Sequence, residues 1–330
     1  MGEPITAALA MFEHLPPLLF PSTLADRLRA TAHVQDRVLT TWDGPLAEVD
    51  VLITGWGCPP IDAAVLAAAP RLRAVIHAAG TVKTHIGAAV FDRGIVVSSA
   101  AAANARPVAE YTLAMILLAN KDIRSMAQRY RAERRKIDLV AEYPTVGNLG
   151  RTVGVIGASR VGREVLRLLA PFDLHPLLAD PYVTPAEAAE LGAELVDLPE
   201  LFRRSDIVTV HAPALPETRG MIDAPLLAML ADGATLINTA RGSVVDQDAL
   251  LAHLRIGRIS AVLDVTEPEL PPADSPLWHL PNVLLTPHAA GALGTELSRL
   301  GACAVDELGR FAAGEPFAFA VDPAQLAVMA

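Results

Sequence analysis

Cysteine is nearly absent from this 330-residue chain, which holds only Cys58 and Cys303. Two thiols so far apart make no disulfide framework and no metal-binding spacing, so a stapled secreted fold and a cysteine metal centre are both excluded. A reducing cytoplasmic setting is expected, with no metal. Cys58, in Gly-Trp-Gly-Cys-Pro-Pro, reads as a small packed thiol. Lysine is scarce too: Lys83, Lys121 and Lys136 are the only ones, which leaves little scope for lysine-based covalent catalysis. Although 52% of the residues are hydrophobic, no unbroken apolar run approaches the roughly 20 residues needed to cross a bilayer. Positive charge is in deficit, with a net charge of −10, and this argues against nucleic acid or an anionic membrane as partner, since both require a basic surface. The one cationic stretch, Arg124 to Lys136, reads as a solvated helix end or a subunit-contact arm. At the start, Met1-Gly2 fits a bare myristoylation pattern, but Ile5 to Ala10 reads better as a first strand. No basic flank precedes an apolar core there, so export is not expected.

What is present is an alternation of short apolar runs with helical patterns over a length sufficient for two cores. Strands are expected at Ile5–Ala10, Val51–Thr54, Ala74–His77 and Ile95–Val97, with helical patterns between them. Pro107 to Ala119 has no breaker after its first residue and predicts a long buried helix with Pro107 in its first turn. A second series of strands follows near Thr152–Gly157, Pro176–Asp180, Asp206–His211, Ala234–Asn238, Ala261–Val265 and Val283–Thr286. Ala292 to Ala313 predicts a helix that returns the chain to the first domain.

The segment Thr152 to Arg163 is a strand that breaks into a glycine-rich turn and then a helix. In a dinucleotide-binding unit Gly157 permits the sharp turn, position 159 lets backbone approach a pyrophosphate, and Gly162 lets helix and strand pack closely. Position 159 is Ser here, small and with a hydroxyl able to bond a phosphate oxygen. About 20 residues on, Asp180 ends a strand where such folds place an acid for the ribose hydroxyls, which favours NAD over NADP.

Downstream, three polar residues stand beside probable strand ends: Arg241, Glu269 and His288. A cation that grips a carboxylate, an acid that steadies an imidazolium and an imidazole that gives up a proton are what reduction of a 2-keto acid requires. Glu267 competes with Glu269 for the histidine. His77, His85 and His211 are left as structural.

In combination, Asn238 to Asp246, Leu263 to Glu269, Ser275-Pro276-Leu277-Trp278 and Asn282 to His288 resemble the D-isomer-specific 2-hydroxyacid dehydrogenases, across nearly the whole chain. The resemblance implies an α/β protein of two Rossmann-like, doubly wound domains with parallel sheets and a cleft between them. The flavodoxin-like substrate domain would span residues 1–104 and 295–330, the NAD-binding domain residues 105–294. It implies a homodimer as well. Arg241 matches the substrate-binding arginine, His288 the acid/base and Glu269 its partner. Gly80, Thr81 and Val82 match the loop that binds the substrate carboxylate. Ser99, Val108, Arg160, Val161, Asp180, Ala212, Pro213, Thr239, Asp264 and Gly291 match cofactor-contacting positions, beside Gly157, Ser159 and Gly162 of the turn. Asn104 looks like a family residue near the domain hinge. The sequence departs from the family at Ser159, at Thr81-Val82, which leaves the substrate's side chain open, and at Leu270. Glu269, where formate dehydrogenases of this fold carry Gln, points away from them. The expected activity is interconversion of a small 2-keto acid and a D-2-hydroxy acid with NAD. The competing expectation is an NAD(H)-sensing, corepressor-like module on the same fold.

Overall fold

The computed structural model describes residues 4–325; the Met1-Gly2 start lies outside them. The described residues fold into two compact units, one formed by residues 4–105 and 292–325, the other by residues 106–291.

In the first unit five parallel strands, β1 (Thr6–Ala10), β2 (His33–Val34), β3 (Val51–Thr54), β4 (Ala74–His77) and β5 (Val96–Ser99), pair in the order β2-β1-β3-β4-β5. All four residues of β3 and all four of β4 are buried, as a parallel sheet covered on both faces demands. Alternate side chains serve opposite faces. Leu9, Val51, Ile53 and Ile76 pack with Leu300, Ala304 and Leu308 of the helix Leu297–Ala313. Leu52, Val75 and Val97 pack with Val65 and Leu66 on the other side. Each such aliphatic side chain contributes roughly 1.5–3 kcal/mol of burial free energy. The returning helix is locked by Gly301, where an added Cβ would lie 1.7 Å from the Leu19 carbonyl oxygen. Beyond it, residues 319–321 run along the β5 edge, with Ser99 N donating to Phe319 O at 3.3 Å and Val321 N to Val97 O at 2.8 Å. The sheet edge is thereby covered.

The second unit contains seven parallel strands, β6 (Arg151–Ile156), β7 (Leu174–Ala179), β8 (Glu194–Leu195), β9 (Ile207–Val210), β10 (Thr235–Asn238), β11 (Ser260–Leu263) and β12 (Val283–Leu285), in the order β12-β11-β10-β9-β6-β7-β8. From β6 the chain winds outward to β8, then crosses back to β9 and winds the other way to β12. The reversal between β6 and β9 opens a crevice at their carboxyl ends, where ligands of open α/β sheets bind. The helix preceding this sheet runs from Ala101 to Asn120, with Pro107 inside it rather than in its first turn. Proline removes one helical hydrogen bond, and the alanine-rich stretch Ala101 to Ala105 is a good enough helix former to extend a turn and a half ahead of it. No helix among the described residues is long and apolar enough to cross a membrane.

Candidate active site

The β6–β9 crevice begins at the glycine-rich turn. Gly157 has φ 92°, and a Cβ there would touch the backbone of His211 and Ala212, at the start of the loop after β9, at 3.0 Å. Gly162 lies so near the turn that a Cβ would sit 2.0 Å from the Gly157 carbonyl oxygen. Both positions therefore require glycine. Ser159 is the N-cap of the helix Arg160–Leu169, its hydroxyl accepting from Gly162 N at 3.3 Å. That helix directs its N-terminal N–H groups toward the turn, with Arg160 exposed and Val161 packed on the core. Asp180, just past β7, accepts from Ala158 N at 2.7 Å and Tyr182 N at 2.8 Å, which fixes the carboxylate against the turn and leaves lone pairs for further donors. After β9 come Ala212, buried, and Pro213, whose carbonyl accepts from Thr218 at 2.5 Å.

The adjoining strands carry the remaining polar groups at their carboxyl ends. After β10, the Asn238 side chain accepts from Ala240 N at 3.0 Å and donates to Arg241 O at 2.9 Å, bracketing the peptide that presents Arg241. Gly242 follows because a Cβ would lie 2.0 Å from the Thr266 carbonyl carbon. The Arg241 guanidinium donates to Ala240 O at 2.6 Å. Burial draws its pKa below the ordinary arginine value, and the charge of Glu269 acts in the opposite sense. Glu269 follows β11 and meets His288, which follows β12: Oε1 to Nδ1 is 2.6 Å. Glu267 instead faces Arg219 at 3.5 Å. The geometry thus selects Glu269 of the two acids.

His288 is held in the left-handed region, φ 54°. What holds it is Asp264, only 2% exposed. Its carbonyl accepts from His288 N at 2.9 Å, and its carboxylate accepts from Thr286 Oγ1 at 2.5 Å, Ala289 N at 2.7 Å and Ala290 N at 2.9 Å. Asp264 is thus the anchor of the histidine loop. Two residues not singled out in the sequence extend it. Tyr111 OH meets Thr286 Oγ1 at 3.0 Å, and Thr112 meets Thr239 at 3.3 Å while donating to the Val108 carbonyl at 2.8 Å. Burial raises the Tyr111 pKa, opposed by the Thr286 hydrogen bond. Hydroxyls on a helix have no sequence pattern that reveals such pairing. Gly291 closes the segment.

In the first unit, Gly80, Thr81 and Val82 form the loop after β4. Ser99, ending β5, donates to Gly80 O at 3.0 Å and accepts from Ala101 N at 3.1 Å. Asn104 accepts from Ala292 N at 2.9 Å, tying the start of the long helix to the returning segment.

A doubly wound sheet with a glycine turn at its switch point, an acid after the second strand and an acid–imidazole pair at its far strand ends defines a dinucleotide-binding unit equipped for proton transfer. The sequence profile of the D-isomer specific 2-hydroxyacid dehydrogenase NAD binding domain matches residues 113–290. D-3-phosphoglycerate dehydrogenase of Mycobacterium leprae (strain TN) is 36% identical over 312 residues, covering 91% of this chain and 58% of that one. Glyoxylate reductase of Korarchaeum cryptofilum is 36% identical over 262 residues, 78% of each chain. The apo D-mandelate dehydrogenase of Rhodotorula graminis superposes with a TM-score of 0.80 at 25% identity, over 96% of this chain and 97% of that one. The chain belongs to the D-isomer-specific 2-hydroxyacid dehydrogenase family, with an NAD-binding domain, and spans 58% of the length of its mycobacterial relative.

Proposed function

We propose that the chain is an NAD-dependent oxidoreductase that interconverts a small 2-keto acid and the corresponding D-2-hydroxy acid. The observation that carries this reading is the 2.6 Å Glu269–His288 pair standing after β11 and β12, the two strands that lie in turn outward of β10, which presents Arg241. Bound NADH supplies the hydride. Gly157, Gly162, Ser159, Arg160 and Val161 at the turn, Asp180, and the strand-end positions Ala212, Pro213, Thr239, Asp264 and Gly291 would hold it, with Ser99 and Val108. The Asp180 carboxylate would repel a 2′-phosphate, so NADH is preferred to NADPH.

Arg241, a permanently charged fork, grips the carboxylate and keto oxygen of the substrate and so orients its carbonyl carbon. Backbone N–H groups of Gly80, Thr81 and Val82 bind the same carboxylate. Because Glu269 engages Nδ1 of His288, the ring presents Nε2 to the substrate, and that nitrogen donates a proton to the carbonyl oxygen as it gains charge. In oxidation the same nitrogen takes the hydroxyl proton. The partner molecule is a second copy of the chain, a reading supported by exposed Tyr130, Leu139 and Val140 around the arginine-rich helix Ile123–Glu133. The scarcity of cysteine supports a cytoplasmic location.

The test is a panel of glyoxylate, hydroxypyruvate and bulkier 2-keto acids with NADH and NADPH. Consumption of NADH that disappears in Arg241→Ala and His288→Ala is expected. NADH binding with no turnover anywhere in the panel would instead identify a cofactor-sensing module.

A further inference from the structure

Beneath the Gly80–Val82 loop lies a polar chain that the catalytic reading does not use. Thr54 ends β3, His77 ends β4, and His85 closes the loop that β4 begins. All three are buried, at 0%, 3% and 3% exposure. Thr54 Oγ1 lies 2.9 Å from His77 Nδ1 and 3.3 Å from His85 Nε2, and the two rings are 4.5 Å apart between centroids. The backbone of Thr81 also acts on His77, in the sense that favours a proton on its ring, against the larger effect of burial. On the other side, Thr84 Oγ1 stands 3.4 Å from His85 Nδ1.

The three contacts are satisfied together when Thr54 Oγ1–H donates to His77 Nδ1, His85 Nε2–H donates to Thr54 Oγ1 and Thr84 Oγ1–H donates to His85 Nδ1. Both imidazoles are then neutral, which is the form burial favours for each. The polar chain grips the segment on both flanks of the loop, at His77 before it and at Thr84 and His85 after it. Within that span the backbone is pinned again, with His85 N and Ile86 N donating to Val82 O at 3.2 and 2.9 Å and Ile61 N to His85 O at 2.9 Å. The seven residues between the two imidazoles are thus braced from below by a single buried hydroxyl.

We propose that Thr54, His77 and His85 are positioning residues for the 80–82 loop, fixing its backbone N–H groups for a substrate carboxylate. The claim rests on the dehydrogenase reading for what the loop binds, and on the geometry above for what holds it. Thr54→Val keeps the shape of the side chain and removes the hydroxyl; Thr54→Ser restores it. With a 2-keto acid that the parent enzyme reduces, Thr54→Val is expected to raise KM about tenfold or more, a loss of about 1.4 kcal/mol in binding, while kcat and the NADH Kd stay within twofold. Thr54→Ser returns KM to within threefold of the parent. Hydrogen exchange of amides 81–86 should accelerate in Thr54→Val and recover in Thr54→Ser, with amides of the 106–291 unit unchanged. An unaltered KM, or equal damage by both substitutions, overturns the proposal. If the parent reduces no keto acid, the dehydrogenase reading fails on its own. The brace is then decided by exchange alone: accelerated and rescued exchange upholds it, and unchanged exchange removes it.

Discussion

A histidine with left-handed backbone costs roughly 1–2 kcal/mol relative to its relaxed form, and at His288 that cost is met by hydrogen bonds converging on Asp264. Asp264→Ala would strip the acceptor from the N–H groups of Ala289 and Ala290, about 1–3 kcal/mol for each buried donor left unpaired. The imidazole would then wander, and a displacement of about 1 Å at a reacting group can cost on the order of 10²-fold in rate. Steady-state kinetics should show kcat/KM falling by that order; parental kinetics in Asp264→Ala would remove the anchoring role. The two neighbouring acids separate in the same assay. Glu269→Gln is expected to lower kcat/KM by about 10–100-fold, because the ring loses the carboxylate that orients it, whereas Glu267→Gln, which faces Arg219, should stay within about twofold.

Single elements show what a linear pattern conveys. Val51–Thr54 and Ala74–His77 are legible to the residue because each is a short, wholly buried run bounded by polar or small residues. The two-residue strands His33–Val34 and Glu194–Leu195 are not, since two residues carry no period. Pro107 misplaces a helix start because local propensity yields to the alanines before it. At the site, the residues of Arg241, Glu269 and His288 are legible through their motifs, while the rivalry of Glu267 and Glu269 is resolved only by which side chain reaches the ring. The Asp264 anchor and the Thr54 brace join residues distant in sequence, and no spacing announces them. The helix Leu297–Ala313 offers an internal contrast. Gly301→Ala would push a methyl to 1.7 Å from Leu19 O and should lower Tm markedly. Gly309→Ala, with nothing within 4 Å, should stabilise by roughly 0.5–1 kcal/mol. Thermal melts of the two variants moving in the same direction would contradict this packing.

For the molecule as a whole, buried neutral histidines set the response to acid. Burial lowers His85 to about 4 and His211, beside Thr209, to about 3, and it holds His77 well below 6.5. The unfolded chain binds these protons near pH 6.5 and the folded chain does not, so stability is complete above that pH and declines as pH falls. The His85 share is lost between about 6.5 and 4, roughly 3 kcal/mol in all, and the His211 share continues to about 3. Melting temperature followed from pH 8 to 4 should fall below about 6.5, and less steeply in His85→Gln; a flat profile would show that the rings protonate without penalty.

The helix Leu297–Ala313 and residues 319–321 complete a sheet begun at Thr6. On the ribosome, the first unit must therefore wait with one face of its sheet lacking the helix that covers it while the intervening 106–291 unit emerges. Of the two units, the one begun earlier is the one completed later, and a chain stalled before residue 297 would display an exposed sheet to any chaperone or protease within reach.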